Sequence, residues 1–271
     1  MSTDSHQLID NLLYSCIDAR QRGHEQFVPE HTLGYIISGE SRITINNEMH
    51  VVKAGTIGLV RKNQLLKSVK IPPADGLFKS INIDLNQEVL RQYSNEHNIM
   101  ADKPYENLVA VNLGNDPFLK GYFESLLPYF EQQKPLRSAI AQLKTQEAIE
   151  LLLAAEPNLK NLLFDFSEPH KIDLEAFMNQ HYTYNVSQSQ FAKLTGRSLA
   201  SFKRDFEKIF HCAPGQWLLQ KRLREAYYLI KEKGRKASDI YLDIGFENLS
   251  HFSFAFKKAY GVPPSMAAQL V

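Results

Sequence analysis

Cysteine is nearly missing from this chain: Cys16 and Cys212 are the only two in 271 residues. They are too few and too far apart for a disulfide framework or a cysteine-ligated zinc site. No run approaches the roughly 18 apolar residues needed to cross a bilayer, and no basic segment followed by an apolar one opens the chain. Cytoplasmic placement is the expectation. A glycine-rich phosphate loop, a zinc-protease helix motif and a nucleophile elbow are also absent, so the common signatures of nucleotide and hydrolytic chemistry are missing. Net charge is close to absent too, at +1.

That near-zero balance hides an asymmetry. Residues 1–170 hold 16 Lys/Arg against 21 Asp/Glu, whereas residues 171–271 hold 15 against 9. An excess of cation confined to the C-terminal third suits a module that binds a polyanion, and suits a solvated helical surface equally.

The first eighty-five residues alternate. Thr32 to Val52 consists of short β-branched and aromatic runs broken at Ser38-Gly39-Glu40 and Asn46-Asn47-Glu48, the marks of antiparallel strands joined by tight turns. Phe78 to Leu85 alternates as a closing strand, so a small antiparallel barrel or sandwich is expected, with Tyr35, Ile37, Ile43 and Ile45 as candidates to line it or fill a dry core. From Pro117 the period becomes helical. Leu119, Tyr122, Phe123, Leu126 and Phe130 form one stripe, and Ile140, Leu143, Ala148, Leu151 and Leu152 form another on a helix starting just after Pro135. A helical hairpin follows, packed on the barrel or on a second subunit. The domain reading is 1–160, a linker over 161–171 that contains Phe166-Ser-Glu-Pro-His170, and 172–271.

The last hundred residues contain one pattern twice. Phe202, Phe206, Lys208 and Pro214 recur as Phe252, Phe256, Lys258 and Pro264, with Phe210 matched by Tyr260. A face of Ile172, Leu174, Phe177, Met178 and His181 precedes the first copy. In it, Ser187 caps a short helix that closes at Gly196, and Ser198 caps the next. The second copy runs through a helix over 237–244, a turn at Gly245-Phe246-Glu247 and a cap at Asn248. The offset is 49 residues before the turn and 50 after it, so the second turn is one residue longer. Helix, glycine-containing turn, helix is the helix-turn-helix pattern. Between the copies, Leu219, Leu223, Ala226, Tyr227 and Ile230 stripe one continuous helix of about 19 residues, about 28 Å long. Such a rod holds two recognition helices near the ~34 Å that separates successive major-groove faces on one side of a DNA duplex.

Leu174 to Ala267 resembles the double helix-turn-helix domain of the AraC/XylS family of bacterial transcription regulators. The carriers are Gly196-Arg-Ser-Leu-Ala-Ser-Phe-Lys-Arg-Asp-Phe, Trp217-Leu-Leu-Gln-Lys-Arg-Leu-Arg-Glu-Ala, and Asp239-Ile-Tyr-Leu-Asp-Ile-Gly-Phe through His251 to Ser265. The β-rich first part with its hairpin resembles, in pattern, the family's cupin-like effector and dimerisation domain. The resemblance implies an α+β chain with a cupin-like barrel first and an all-α domain of two helix-turn-helix units last. It implies a DNA-binding regulator, an activator rather than a repressor, partnered by double-stranded DNA and RNA polymerase. A small effector or protein partner at the first domain, and a homodimer formed through that domain, are also implied. Tyr241, Leu249 and Phe254 depart from the family's usual small or polar residues, so the second unit is expected to brace the backbone more than read sequence, the alternative being that an apolar side chain there touches a thymine methyl.

With Phe202 and Phe206 inward, Ala200, Ser201, Lys203 and Arg204 face the bases, and Arg204 suits a guanine because its fork can engage O6 and N7 together. Pairing with a phosphate, Asp205 or Glu207 is the alternative for that arginine. In the second unit Leu249, Ser250, His251 and Ser253 are the candidate base contacts, while Ser198, Asn248, Lys257 and Lys258 are assigned to phosphates. Two further classes compete: a metal-dependent cupin-type enzyme with a DNA-binding tail, and a non-specific architectural binder. His24, Glu25, Glu30, His31 and His50 are the candidate metal ligands, but no His-x-His pair occurs and the metal-binding cupin spacing is missing. No metal or cofactor is expected, and no catalytic residue.

Overall fold

The computed structural model describes residues 5–9, 11–22, 26–45, 48–105, 110–131 and 137–267. The chain divides into two compact units, Met1–Ser167 and Glu168–Val271.

In the first unit the strands are β1 (Ser5–Ile9), β2 (Leu12–Ile17), β3 (Gln21–Arg22), β4 (Phe27–Val28), β5 (His31–Ser38), β6 (Glu40–Ile45), β7 (Glu48–Lys53), β8 (Ile57–Val60), β9 (Gln64–Ile71), β10 (Phe78–Leu85) and β11 (Ala110–Gly114). Its helices are α1 (Gln87–His97), α2 (Pro117–Glu131), α3 (Ser138–Ala155) and α4 (Lys160–Leu163). Six strands make one antiparallel sheet in the order β1-β2-β10-β5-β8-β11, and β3-β9-β6-β7, with β4 also on β9, make a second. The unit is α+β, but the sheets keep separate edges among the described residues and do not close into the expected barrel.

Strand alternation explains why. Leu33 pairs with Ile83 and Leu59, and Tyr35 with Ile81 and Ile57, so these side chains share one face of the larger sheet. That face is covered by helices rather than enclosed by strands: Tyr35 packs on Phe123 of α2, ring centroids 5.3 Å apart, and Ile37 joins the same core. Of the four candidate lining residues, Tyr35 and Ile37 thus lie under the helices, Ile45 is buried on the smaller sheet and Ile43 is half-buried there. The opposite face of the larger sheet has a small core of Ile17, Ile36 and Phe78 beside polar side chains, where the Lys70 ammonium donates to Ser15 Oγ at 3.0 Å.

The expected stripe of α2 is the buried one, Leu119 through Phe130. On α3 the buried face is Ala141, Thr145, Ala148, Ile149 and Leu152, and Leu143 is 64% exposed. This helix is apolar on most sides, so spacing alone did not select a face; the hydrogen bond from Asn11 Nδ2 to Thr145 Oγ1 at 3.1 Å marks the side that docks. The helix begins at Ser138, and the residues just after Pro135 lie partly outside those described. Residues 161–164, read as the start of a linker, are buried in the first unit's core. The turn at Asn46-Asn47 lies outside the described residues.

In the second unit the helices are α5 (Leu174–His181), α6 (Gln188–Leu194), α7 (Leu199–Phe210), α8 (Pro214–Lys231), α9 (Ala237–Ile240), α10 (Leu249–Tyr260) and α11 (Pro264–Ala267). α8 spans 18 residues, about 27 Å, and buries Leu218, Leu223, Ala226 and Ile230; Leu219, expected inward, is 39% exposed. On α5 the buried face is Leu174, Met178 and His181, while Ile172 precedes the helix and is exposed.

Candidate nucleic-acid interface

Each helix-turn-helix unit hangs on one aromatic from α8. Trp217 packs against Phe206 and Phe210, with centroids 5.7 and 4.6 Å away, and Tyr227 packs against Phe256 and Tyr260 at 6.3 and 4.7 Å. Ten residues separate Trp217 from Tyr227, about 15 Å along the helix. The repeated phenylalanines are therefore core: Phe202, Phe206, Phe252 and Phe256 are fully buried.

The two turns close in the same way. Gly196 N–H donates to Lys193 O and Arg197 N–H to Ala192 O; Gly245 N–H donates to Leu242 O and Phe246 N–H to Tyr241 O. Both glycines have positive φ, +65° and +93°. Neither tolerates a Cβ: at Gly196 it would collide with the His170 carbonyl, and at Gly245 it would lie 2.8 Å from Arg222 Nε and from Thr183 O. The first helix of the second unit is shorter than its expected 237–244, because regular helix ends at Ile240; the Ile244 N–H to Ile240 O bond carries the chain on as a turn.

Arg222 ties the two helix-turn-helix units to each other within the C-terminal compact unit. From the middle of α8 its guanidinium donates to Tyr182 O at 2.8 Å, Tyr184 O at 2.8 Å and Gly245 O at 2.9 Å. Burial pulls its pKa down to about 10, which leaves it charged at neutral pH. Beside it, Asn185 Nδ2 donates to Glu247 Oε1 at 2.8 Å. A charged residue in a helix middle reads as a solvated face, so sequence reasoning passed over it.

Ser198 Oγ accepts from Ser201 N–H at 3.2 Å and Asn248 Oδ1 from His251 N–H at 2.7 Å, so both are N-caps of the recognition helices. On α7, Ala200, Lys203 and Arg204 are exposed and Ser201 is half-buried. The Arg204 side chain is 76% exposed, its nearest carboxylate contact a loose 4.0 Å to Asp205. Asp205 is taken by others: Lys171 at 2.9 Å and Arg197 at 3.1 Å, whose hydrogen bonds hold its carboxyl below the usual range. On α10, Leu249, Ser250, His251, Lys257 and Lys258 are exposed and Ser253 is half-buried. The candidate residues thus share the outer faces of α7 and α10.

One residue of that outer face was singled out in the sequence as a departure from the family pattern but not counted among the base contacts. Phe254 is 70% exposed on α10, and it stands fifty positions after Arg204, so the repeat itself could have placed it among them. Beside α10 opens a groove of about 550 Å³ lined by residues that include Leu249, Ser253, Arg235 and Lys236.

Of the metal candidates, His24 and Glu25 lie outside the described residues, and His50 is exposed. His31 is buried with Nδ1 accepting from Lys62 N–H at 3.3 Å, and burial lowers its pKa to about 3. Among the described residues no three His, Cys, Asp or Glu side chains gather to hold a metal ion, and no helix is long and apolar enough to cross a membrane.

Comparison with known proteins agrees with this geometry. Residues 31–164 match the family model of the ExsA N-terminal regulatory domain, and residues 191–269 match that of a helix-turn-helix domain. A helix-turn-helix-type transcriptional regulator of Haemophilus influenzae is 34% identical over 85% of this chain and 83% of its own length. The regulator ExsA of Pseudomonas aeruginosa is 26% identical over 62% of this chain and 60% of its own; for the virulence regulon transcriptional activator VirF of Yersinia enterocolitica the figures are 26%, 56% and 56%. The chain therefore aligns with less than two thirds of the length of these last two. Apo ToxT of Vibrio cholerae, a solved structure, is 12% identical with a TM-score of 0.47, covering 96% of this chain and 97% of its own. The Haemophilus influenzae relative, ExsA and VirF are transcriptional regulators, and the chain belongs to the AraC/XylS family of helix-turn-helix transcription regulators.

Proposed function

We propose that the protein is a sequence-specific DNA-binding transcription regulator that lays α7 and α10 into successive major-groove faces of one duplex. The observation that carries this reading is the pair of helix-turn-helix units built on the two ends of one rigid helix, with basic and polar side chains on both outer faces. The assignment of side chains follows the exposure. Ala200, Ser201, Lys203 and Arg204 read bases in the first unit, and Leu249, Ser250, His251 and Ser253 line the second groove. Lys257, Lys258 and the caps Ser198 and Asn248 contact phosphates, where lysine acts as a point charge.

The N-terminal compact unit, Met1–Ser167, regulates. It takes a small effector or a protein partner, which shifts a balance between two states by binding them unequally. It also forms the homodimer, for which Phe118 and Leu143, 73% and 64% exposed on α2 and α3, offer apolar surface. The regulator acts in the cytoplasm and activates through contact with RNA polymerase. Gel-shift titration of the full chain on its own upstream DNA and on scrambled duplexes tests the reading. Preference for the first supports it; equal affinity, falling with salt alike on both, supports an architectural binder instead.

A further inference from the structure

α10 carries a large apolar side chain that its core does not use. Phe254 is 70% exposed while Phe252 and Phe256 on either side of it are fully buried. At 100° per residue it lies about 200° around the helix from Phe252, as Arg204 lies from Phe202, so it holds in the second unit the position that Arg204 holds in the first. Its surroundings are polar and cationic. Ser250 one turn before and Lys257 and Lys258 one turn after are exposed, and α10 contains no acidic residue. The groove on another side of α10, lined by Ser253 and not by Phe254, has Leu249, Arg235 and Lys236 in its walls.

A phenyl ring inside a cationic border is poorly matched to an apolar protein surface, which would have to desolvate the lysines. It matches DNA, where phosphates flank the groove and the C5-methyl of thymine is the one apolar group on the base edges. We propose that Phe254 is a specificity-determining residue that recognises a thymine through its C5-methyl in the groove entered by α10. This rests on the DNA-reading function proposed above. The two units then read by different chemistry: the first through a guanidinium fork, the second through burial of a methyl group. A methyl contact discriminates weakly, about fourfold if it is worth what one buried methylene is worth.

The test uses the full chain and an operator selected from random duplexes. Each thymine is replaced in turn by deoxyuridine, which deletes the methyl and keeps every hydrogen-bonding group. Wild type should lose about fourfold in affinity at one position within the α10 half. Phe254→Ala should bind the thymine and deoxyuridine duplexes alike, and Phe254→Leu should restore part of the difference. Because the side chain is exposed, both variants fold, as thermal melting checks. Wild-type indifference to every thymine in that half, or a Phe254→Ala protein that keeps the methyl dependence, overturns the assignment while leaving operator preference intact. A variant with unchanged DNA binding but lost transcription overturns it in favour of a protein partner. Failure of wild type to prefer any operator over scrambled DNA overturns both this assignment and the function beneath it.

Discussion

The two helix-turn-helix units have the same inside and different outsides. Their cores repeat nearly residue for residue, with two buried phenylalanines each and one aromatic from α8. Their turns close through the same pair of backbone hydrogen bonds. On the outer face, by contrast, Arg204 faces Phe254 across the repeat, and the supports of the turns differ as well: Gly196 abuts the His170–Lys171 backbone, Gly245 abuts Arg222. Packing tolerates little change in shape, so duplicated cores stay alike, while an exposed face is free to diverge toward a different ligand surface.

The common core is the place where the comparison breaks hardest. Phe206→Ala and Phe256→Ala should each cost about 3–5 kcal/mol in chemical denaturation of the C-terminal compact unit, since both delete a fully buried ring. A large cost at one and a negligible cost at the other would contradict the shared frame.

Arg222→Met comes next. It strips three backbone carbonyls of a half-buried charged donor, for a loss of roughly 3 kcal/mol. Variants should also tolerate operators whose two half-motifs are respaced by a base pair or two, because this residue joins the Tyr182–Tyr184 segment to the second turn. Competition binding on respaced duplexes reads that out.

The outer faces are sharpened by smaller effects. Arg204→Ala should cost about 1–3 kcal/mol on the selected operator and relax preference at one base position, read by quantitative selection on variant duplexes. Lys258→Ala, the smallest, should weaken all sequences alike and flatten the salt dependence by about one phosphate contact.

Much of the C-terminal compact unit, Glu168–Val271, was legible because its signals are local. Capping residues, positive-φ glycines and a four-residue aromatic spacing specify their own structure, so Ser198, Asn248, Gly196 and Gly245 fell where expected. The N-terminal compact unit was harder, since alternation says which side chains share a face and not what covers it. Tyr35 and Ile37 thus turned out to lie under α-helices rather than inside a barrel. On α3 and α8, leucines on several sides left Leu143 and Leu219 facing outward against expectation. Arg222 was illegible because its partners are backbone carbonyls, which carry no sequence signal.

Hydroxyl-radical footprinting of the full chain on its selected operator tests the two-groove reading most directly. The geometry of α8 calls for two protected stretches on one side of the duplex, centred about 10 base pairs apart. A single protected stretch, or protection spread evenly along the DNA, would contradict it.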